Sequence, residues 1–282
     1  MIKSKIIPFN YFGGKFMHAD FIINHLPETK NYVEVFGGSG VILFNRKPSK
    51  IETLNDINSV VINFFECLRD HSEKLLEKIY LTPYCQDEYI KCYRDMNKGD
   101  KIERARRFFV AVNQSFNGTY ARQTGWKMSS HNSRKNISEM CSRWNSKIPN
   151  LLRIINRLRS IQISNMDFRD IFEKFNNKDT LLYCDPPYVH NTRTNKSEYE
   201  FEMSLSDHYY LLELCKKSKA KIAISGYESD LYNEELKRFY KIKAPERETI
   251  LHKTKRQEIL WTNYNPYQTN NLYLFSENDT LE

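Results

Sequence analysis

Five short apolar runs, each closed by a polar turn, constrain the fold of this chain more than any other feature. They are Tyr32-Val33-Glu34-Val35-Phe36 before Gly37-Gly38, Ile51-Glu52-Thr53-Leu54 before Asn55-Asp56, Ile161-Gln162-Ile163 before Asn165, Thr180-Leu181-Leu182-Tyr183 before Asp185, and Lys221-Ile222-Ala223-Ile224 before Ser225-Gly226. Short, mostly apolar runs read as strands buried on both faces, the setting of a parallel sheet. Amphipathic stretches lie between several of them, such as Asp207 to Lys217, with Tyr210, Leu211, Leu214 and Cys215 as its apolar positions. Strands alternating with helices predict an open, Rossmann-like α/β sheet, whose ligands gather at the carboxyl ends of the strands. All five polar turns fall on that edge.

Residues 60–150 break the rhythm. They read as helical over Val60 to Ile79 and Ile102 to Asn113, then as irregular, basic and polar from Gln114 to Asn136. The expectation is an inserted, mainly helical domain at 60–150, with 1–59 and 151–282 forming the domain that carries the strand-end loops. The chain holds 43 Lys and Arg against 35 Asp and Glu, a net charge of +8. Residues 101–160 alone hold thirteen basic residues against Glu103 and Glu139, an excess of eleven that exceeds the total. Such a density suits a polyanion, above all a phosphate backbone. Arg153 and Arg157, one helical turn apart, are expected to grip it. Arg122, Trp126, Lys127, Arg134 and Lys135, interspersed with amides, suit phosphate anchoring combined with readout of base edges.

The six cysteines form no Cys-x-x-Cys pair and none of the seven histidines stands at metal-ligand spacing from another, so free thiols and no metal are expected. His208 is explained by its place at the start of a helix. The N-terminus lacks an apolar leader and no run reaches membrane-spanning length, which predicts a cytoplasmic protein with no membrane partner.

The chemistry centres on Asp185-Pro186-Pro187-Tyr188, which closes the fourth run. Two successive prolines remove two backbone donors and stiffen the turn, leaving its carbonyls free to face one way. An amino group on an aromatic ring is a poor nucleophile because its lone pair is delocalised. The Asp185 carboxylate and the Pro186 carbonyl can accept both of its hydrogens and aim the lone pair at a methyl donor, while Tyr188 stacks on the ring. Glu34-Val35-Phe36-Gly37-Gly38-Ser39-Gly40 is a glycine turn that lets the backbone approach a nucleoside-type cofactor closely. A dinucleotide fingerprint counted from Gly38 needs glycine at position 43, where Leu43 stands, and this argues against NAD. Asp56, twenty residues beyond Phe36, is spaced to accept hydrogen bonds from ribose hydroxyls.

With Tyr11-Phe12-Gly13-Gly14-Lys15 near the start, Asp167-Phe168 after the third run and the motifs above in the same order, the sequence resembles the Dam-type DNA adenine-N6 methyltransferases, in particular their phage and mobile-element branch. The resemblance implies a seven-stranded, mostly parallel methyltransferase sheet, S-adenosyl-L-methionine as cofactor, and double-stranded DNA as partner, with the adenine flipped out of the helix. It implies a bacterial or phage-encoded protein, with a companion restriction endonuclease as a further partner open to it. It also implies catalytic roles for Asp185, Pro186, Pro187 and Tyr188. Cofactor contacts would come from Tyr11, Phe12, Gly13 and Lys15, from Glu34, Phe36, Gly38 and Gly40, and from Asp56, Asp167, Phe168 and Asp185. Phe116-Asn117-Gly118 resembles the start of the family's recognition hairpin, which adds Asn117 to the DNA contacts. His190-Asn191-Thr192-Arg193 resembles a loop of the phage branch, which adds Arg193. The residues after Gly118 depart from the GATC-reading members, so a different or looser target is expected. The closing stretch Lys255 to Tyr264 resembles the family's last strand signature. RNA adenine methylation and a catalytically silent DNA-binding protein of the same fold are the alternatives. Glutamine methylation is disfavoured by the leading Asp185.

Overall fold

The computed structural model describes residues 5–120, 124–189, 201–245 and 257–268. The five runs are five parallel strands: β1 (Asn31–Glu34), β2 (Ile51–Asn55), β5 (Gln162–Ser164), β6 (Thr180–Cys184) and β7 (Lys221–Tyr227). A short hairpin, β3 (Ser133–Arg134) and β4 (Ile137–Ser138), stands apart from them. Two more strands complete the sheet, β8 (Tyr240–Lys243) and β9 (Glu258–Thr262), giving the order β5-β2-β1-β6-β7-β9-β8 with β9 antiparallel to both neighbours. This is the seven-stranded, Rossmann-like methyltransferase sheet that the resemblance implies.

The chain runs from β1 outward to β2 and β5, then returns to the other side of β1 as β6. Strand order therefore reverses between β1 and β6, and a crevice opens there at the carboxyl edge. Register fixes what meets at it: Glu34 pairs with Leu54 on one side and Tyr183 on the other, so the turns carrying Gly37, Asp56 and Asp185 lie side by side.

Alternation along the strands divides the apolar side chains between two faces. Tyr32, Leu54, Leu181, Tyr183, Ala223 and Leu260 join one cluster, whereas Val33, Leu182, Cys184, Ile222, Ile224 and Trp261 join the other. The first face is covered by α1 (Ala19–Asn24), α2 (Val41–Asn45), α3 (Ser59–Asp70), α4 (Ser72–Tyr80), α5 (Gln86–Arg94), α6 (Lys101–Gln114), α7 (Glu139–Asn145) and α8 (Lys147–Leu158). The helix expected over Val60 to Ile79 is two, because His71 leaves the helical region (φ −133°, ψ 34°). Phe64, Phe65, Phe108 and Phe109 pack in the same cluster as Tyr32 and Leu54, so the helices of 60–150 and the sheet share an apolar core.

The second face carries α9 (Phe168–Phe175), α10 (Leu205–Lys217) and α11 (Asp230–Glu235). A reciprocal capping box between Ser204 and Asp207 sets the start of α10. It turns His208, Leu211, Leu212 and Cys215 inward, and leaves Tyr210, expected on the buried side, half exposed. Among the described residues no helix is long and apolar enough to cross a membrane.

Much of the positive charge counted along 101–160 has an internal partner. Arg106 pairs with Glu88 at 2.7 Å and Glu103 at 2.6 Å, and Arg107 reaches Glu103 at 3.0 Å. Arg157, expected to grip phosphate, pairs instead with the buried Glu52, which also holds Arg46 at 3.2 Å. Leaving Glu52 without these partners would strand a buried charge, a loss of about 3–5 kcal/mol. Arg157 is a structural cation.

Candidate active site

The site is built from four turns at the carboxyl edge. The first follows β1. Gly37 donates to the Asn55 carbonyl at 2.7 Å, and a Cβ there would lie 2.5 Å from Leu54 Cδ1, so only glycine lets the turn close against β2. Gly40 takes φ 65° to open α2. Asp56, at the end of β2, accepts from the Gly38 amide at 2.7 Å and the Asn58 amide at 2.8 Å, tying the glycine turn to its neighbour. Burial raises its pKa and the two amides oppose the rise. Glu34 is buried; one oxygen accepts from the Leu43 amide at 2.7 Å and the Tyr32 hydroxyl at 3.1 Å. Its other oxygen has no hydrogen-bond partner among the described residues. Burial pushes Glu34 up to about 8, against the pull of the Leu43 and Tyr32 bonds.

The second turn is Tyr11 to Lys15, where the Gly14 amide closes on the Tyr11 carbonyl at 3.0 Å. Lys15 is buried, and its ammonium lies 2.6 Å from Asp185 Oδ1, 2.6 Å from the Tyr188 hydroxyl and 3.7 Å from Glu258 Oε1. The third turn is the Asp-Pro-Pro-Tyr loop after β6. Asp185 Oδ1 also accepts from the Ser225 hydroxyl at 3.0 Å, and Ser225 in turn contacts the Tyr183 hydroxyl at 2.9 Å. Burial raises the pKa of Asp185; Lys15 pulls it down and Glu258 pushes it up. The Tyr188 hydroxyl accepts from Lys15 and is 3.0 and 3.2 Å from the two oxygens of Glu258, to which it donates. Its ring lies 4.4 Å from that of Tyr227.

Between these turns lies a cleft of about 740 Å³, open to solvent, lined by Tyr11, Phe12, Gly13, Lys15, Glu34, Phe36, Gly38, Asp56, Asp185 and Pro187 among the residues expected from sequence. Ser39, Asn58, Tyr183 and Phe201 line it as well. Gly40, Pro186 and Tyr188 stand just outside this lining. Asp167 and Phe168 are not in this lining but adjoin it: Asp167 caps α9, accepting from the Arg169 amide at 2.9 Å, and the Phe168 ring sits 5.8 Å from that of Phe36, which lines the cleft. Sequence reasoning missed Tyr183, Ser225, Tyr227 and Glu258. The first three lie in or beside strand runs that were recognised, Tyr183 within β6 and Ser225 and Tyr227 in the last residues of β7, but nothing in the runs themselves marks them as meeting Asp185 and Tyr188. Glu258 comes from antiparallel β9, opposite Tyr227, and reaches the site only through sheet pairing.

The fourth turn joins the cleft to the basic region. Phe116-Asn117-Gly118 forms a helical turn whose Gly118 carbonyl accepts from the Phe12 amide at 3.2 Å. A Cβ on Gly118 (φ 68°) would lie 2.9 Å from the Tyr11 amide nitrogen. Trp126 bridges to Ser115, donates from its indole to Gln114 at 3.0 Å and packs its ring 5.2 Å from that of Tyr84. Lys127 is half-buried near Lys147 and Arg143, and Lys147 lies 3.4 Å from Asn10 Oδ1. Burial, with the neighbouring cations, lowers Lys127 and brings Lys147 down to about 8. Arg134 and Lys135 are exposed on the β3–β4 hairpin. Lys135 (φ 55°) and Asn136 (φ 60°) make its two-residue turn, with the positive φ at both positions that type I′ requires. Arg122 and Arg193 lie outside the described residues.

A reversing parallel sheet with a glycine turn, an acidic second-strand end and an Asp-Pro-Pro-Tyr loop around one cleft defines a Rossmann-like methyltransferase. The family described as D12 class N6 adenine-specific DNA methyltransferase matches residues 11–259, and the chain belongs to it. It is 28% identical to the type II methyltransferase M1.LlaDCHI of Lactococcus lactis subsp. cremoris, over 93% of this chain and 97% of that one. It is 27% identical to a DNA adenine methylase of Haemophilus influenzae, over 82% of this chain and 83% of the relative. A DNA N-6-adenine-methyltransferase of Escherichia phage P1 matches 69% of this chain at 26% identity, over 26% of its own length.

Proposed function

We propose that this DNA adenine methyltransferase takes its methyl group from S-adenosyl-L-methionine and transfers it to the exocyclic amine of an adenine extruded from double-stranded DNA. The observation that carries the reading is the position of Asp185, which shares one cleft with the glycine turn and with Asp56. The cleft suits a nucleoside bearing an amino-acid arm: the glycine turn brings backbone to its wall at Gly37 and Gly38, Asp56 offers a carboxylate edge for ribose hydroxyls, and Glu34 lines the same wall. The donor supplies an electrophilic methyl group on a cationic sulfur. The chain does the rest. Asp185 and the Pro186 carbonyl take the two amine hydrogens and orient the lone pair, Tyr188 and Tyr227 offer ring faces to the base, and the carboxylate stabilises the positive charge that develops on nitrogen.

In this reading residues 1–59 and 151–282 form the catalytic part and 60–150 the target-recognition part, acting in the cytoplasm of a bacterial or phage-infected cell. Lys127, Lys147, Arg134 and Lys135 contact phosphate; Asn117, Arg122 and Arg193 keep the DNA-binding role that the resemblance implies for them. Trp126 supports the reading segment through Gln114 and Tyr84. A target other than strict GATC, and a companion restriction endonuclease, belong to the same proposal. Transfer of a labelled methyl group into duplex DNA, with RNA of the same sequence in parallel, tests it; label appearing only in RNA overturns it.

Two further outcomes are expected. Asp56→Ala should weaken donor binding by calorimetry, roughly tenfold or more for a lost pair of hydrogen bonds to a charged acceptor, and leave DNA affinity near that of the wild type. Unchanged donor affinity would leave Asp56 as a turn residue alone. Lys147 is charged below about pH 8 and neutral above it. DNA affinity should therefore fall between pH 7 and pH 9 more in the wild type than in Lys147→Met. The salt slope of the wild type should become shallower by about one over that interval. Equal pH dependence in the two proteins removes Lys147 from the interface.

A further inference from the structure

We infer that Glu258 is a positioning residue for methyl transfer: it takes over the ammonium of Lys15 by way of Tyr188 and so releases the Asp185 carboxylate for the target amine. The inference rests on the assignment of Asp185 as the amine acceptor.

Four polar groups, Lys15, Asp185, Tyr188 and Glu258, meet at the inner wall of the cleft. Lys15 and Glu258 are 3% and 2% exposed, and the Asp185 side chain is 18% exposed. They carry two carboxylates and one ammonium, so one carboxylate lacks a counter-charge, and the position of Lys15 decides which. Here Lys15 stands 2.6 Å from Asp185 Oδ1, the oxygen that also takes the Ser225 hydroxyl. A carboxylate neutralised in this way is a poor acceptor for a neutral amine and a poor stabiliser of the cation that forms on it. Lys15 is 3% exposed, and a buried ammonium needs a partner wherever it rests. Glu258 is that partner. Its Oε1 is 3.7 Å from the ammonium, about one ångström beyond contact distance, and both its oxygens lie within 3.2 Å of the Tyr188 hydroxyl that Lys15 already contacts at 2.6 Å. The ammonium can therefore slide from Asp185 to Glu258 while keeping its bond to Tyr188. Among the described residues the carboxylates paired with Lys15 are Asp185 and Glu258, so loss of Glu258 leaves it on Asp185.

Among the described residues, the charged and titratable groups around Asp185 are Lys15 from the second turn, Glu258 from β9, Glu34 from β1, Tyr183 and Cys184 from β6 and Tyr232 from α11. Glu258 raises the pKa of Asp185 and Lys15 lowers it. Losing the Glu258 charge makes Asp185 easier to ionise, yet leaves it bound to Lys15. Glu258→Gln should therefore lower the plateau of kcat/KM at least tenfold and shift its acid limb to lower pH, with donor affinity little changed. Lys15→Met should also cost less in the Glu258→Gln background than in the wild type, since the lock is then removed. A purely structural Glu258 would lower the plateau, leave the limb in place and give multiplicative losses. A wild-type plateau, an unmoved limb or multiplicative losses overturn the inference. Where Glu258→Gln folds poorly, Tyr188→Phe replaces it: this variant keeps both charges and cuts the path between them, so a lower plateau with the wild-type limb is expected, and a full plateau overturns the inference. Asp185→Ala separates the two levels. Retained turnover there defeats the assignment of Asp185 itself, whereas lost turnover beside an unaffected Glu258→Gln defeats the handover alone.

Discussion

Asp185→Ala is expected to lose about three orders of magnitude in kcat, the scale on which removing a key electrostatic partner of a transition state acts. The acceptor is a delocalised amine, and nothing else in the Asp-Pro-Pro-Tyr loop carries a charge to balance the cation that forms on it. The Pro186 carbonyl would remain, so base binding should persist while turnover collapses. Folding should survive, because Lys15 retains Glu258 at 3.7 Å as a counter-charge and the Tyr188 hydroxyl at 2.6 Å. Asp185→Asn serves as the companion, since it keeps shape and removes charge; it should fall close to the alanine variant. Single-turnover transfer of labelled methyl, alongside circular dichroism and donor titration, provides the measurement. Turnover within tenfold of wild type in folded Asp185→Ala would show that another group orients the amine.

Tyr188→Phe is the second large effect. Sequence reasoning treats Tyr188 as a stacking ring, for which phenylalanine is nearly as good, while Tyr188→Ala forfeits roughly 1–3 kcal/mol of base–aromatic contact. The structure changes the first expectation. The hydroxyl stands between Lys15 at 2.6 Å and Glu258 at 3.0 Å, and its loss leaves two buried charged groups each short of a hydrogen bond. A hydrogen bond to a charged group contributes about 1.5–3 kcal/mol, so Tyr188→Phe should lose roughly 10- to 100-fold in kcat/KM. Tyr188→Ala should lose more, because the ring is removed as well. Near-wild-type activity in Tyr188→Phe would reduce the residue to its ring.

The parallel core of the sheet was legible because its strands are continuous apolar runs ended by turn residues, and because the helix between two parallel strands leaves its own periodic mark. Glu34, the glycine turn, Asp56 and Asp185 were legible for a related reason: strand-end residues at one edge are local features, and the topology that unites them is nearly forced once the strands are parallel. The helix break at His71 and the inward face of α10 depend on caps and backbone angles that composition does not carry.

Charge was the least legible quantity. A count of Lys and Arg over 101–160 cannot distinguish Arg157, held by the buried Glu52, from Lys147, half-buried beside two other cations. The difference lies in which acid another strand or helix brings near. In the same way β9, paired antiparallel to β7, carries Glu258 to the candidate site from seventy-three residues beyond Asp185. The sequence by itself determined the parallel sheet, the edge at which the candidate site lies and the Asp-Pro-Pro-Tyr turn, since each is written in consecutive residues whose period and turn chemistry act locally. Only the tertiary structure decided the partners of Lys15, Tyr188 and the arginines, because a buried charge takes its strength and its role from neighbours that chain order does not place beside it.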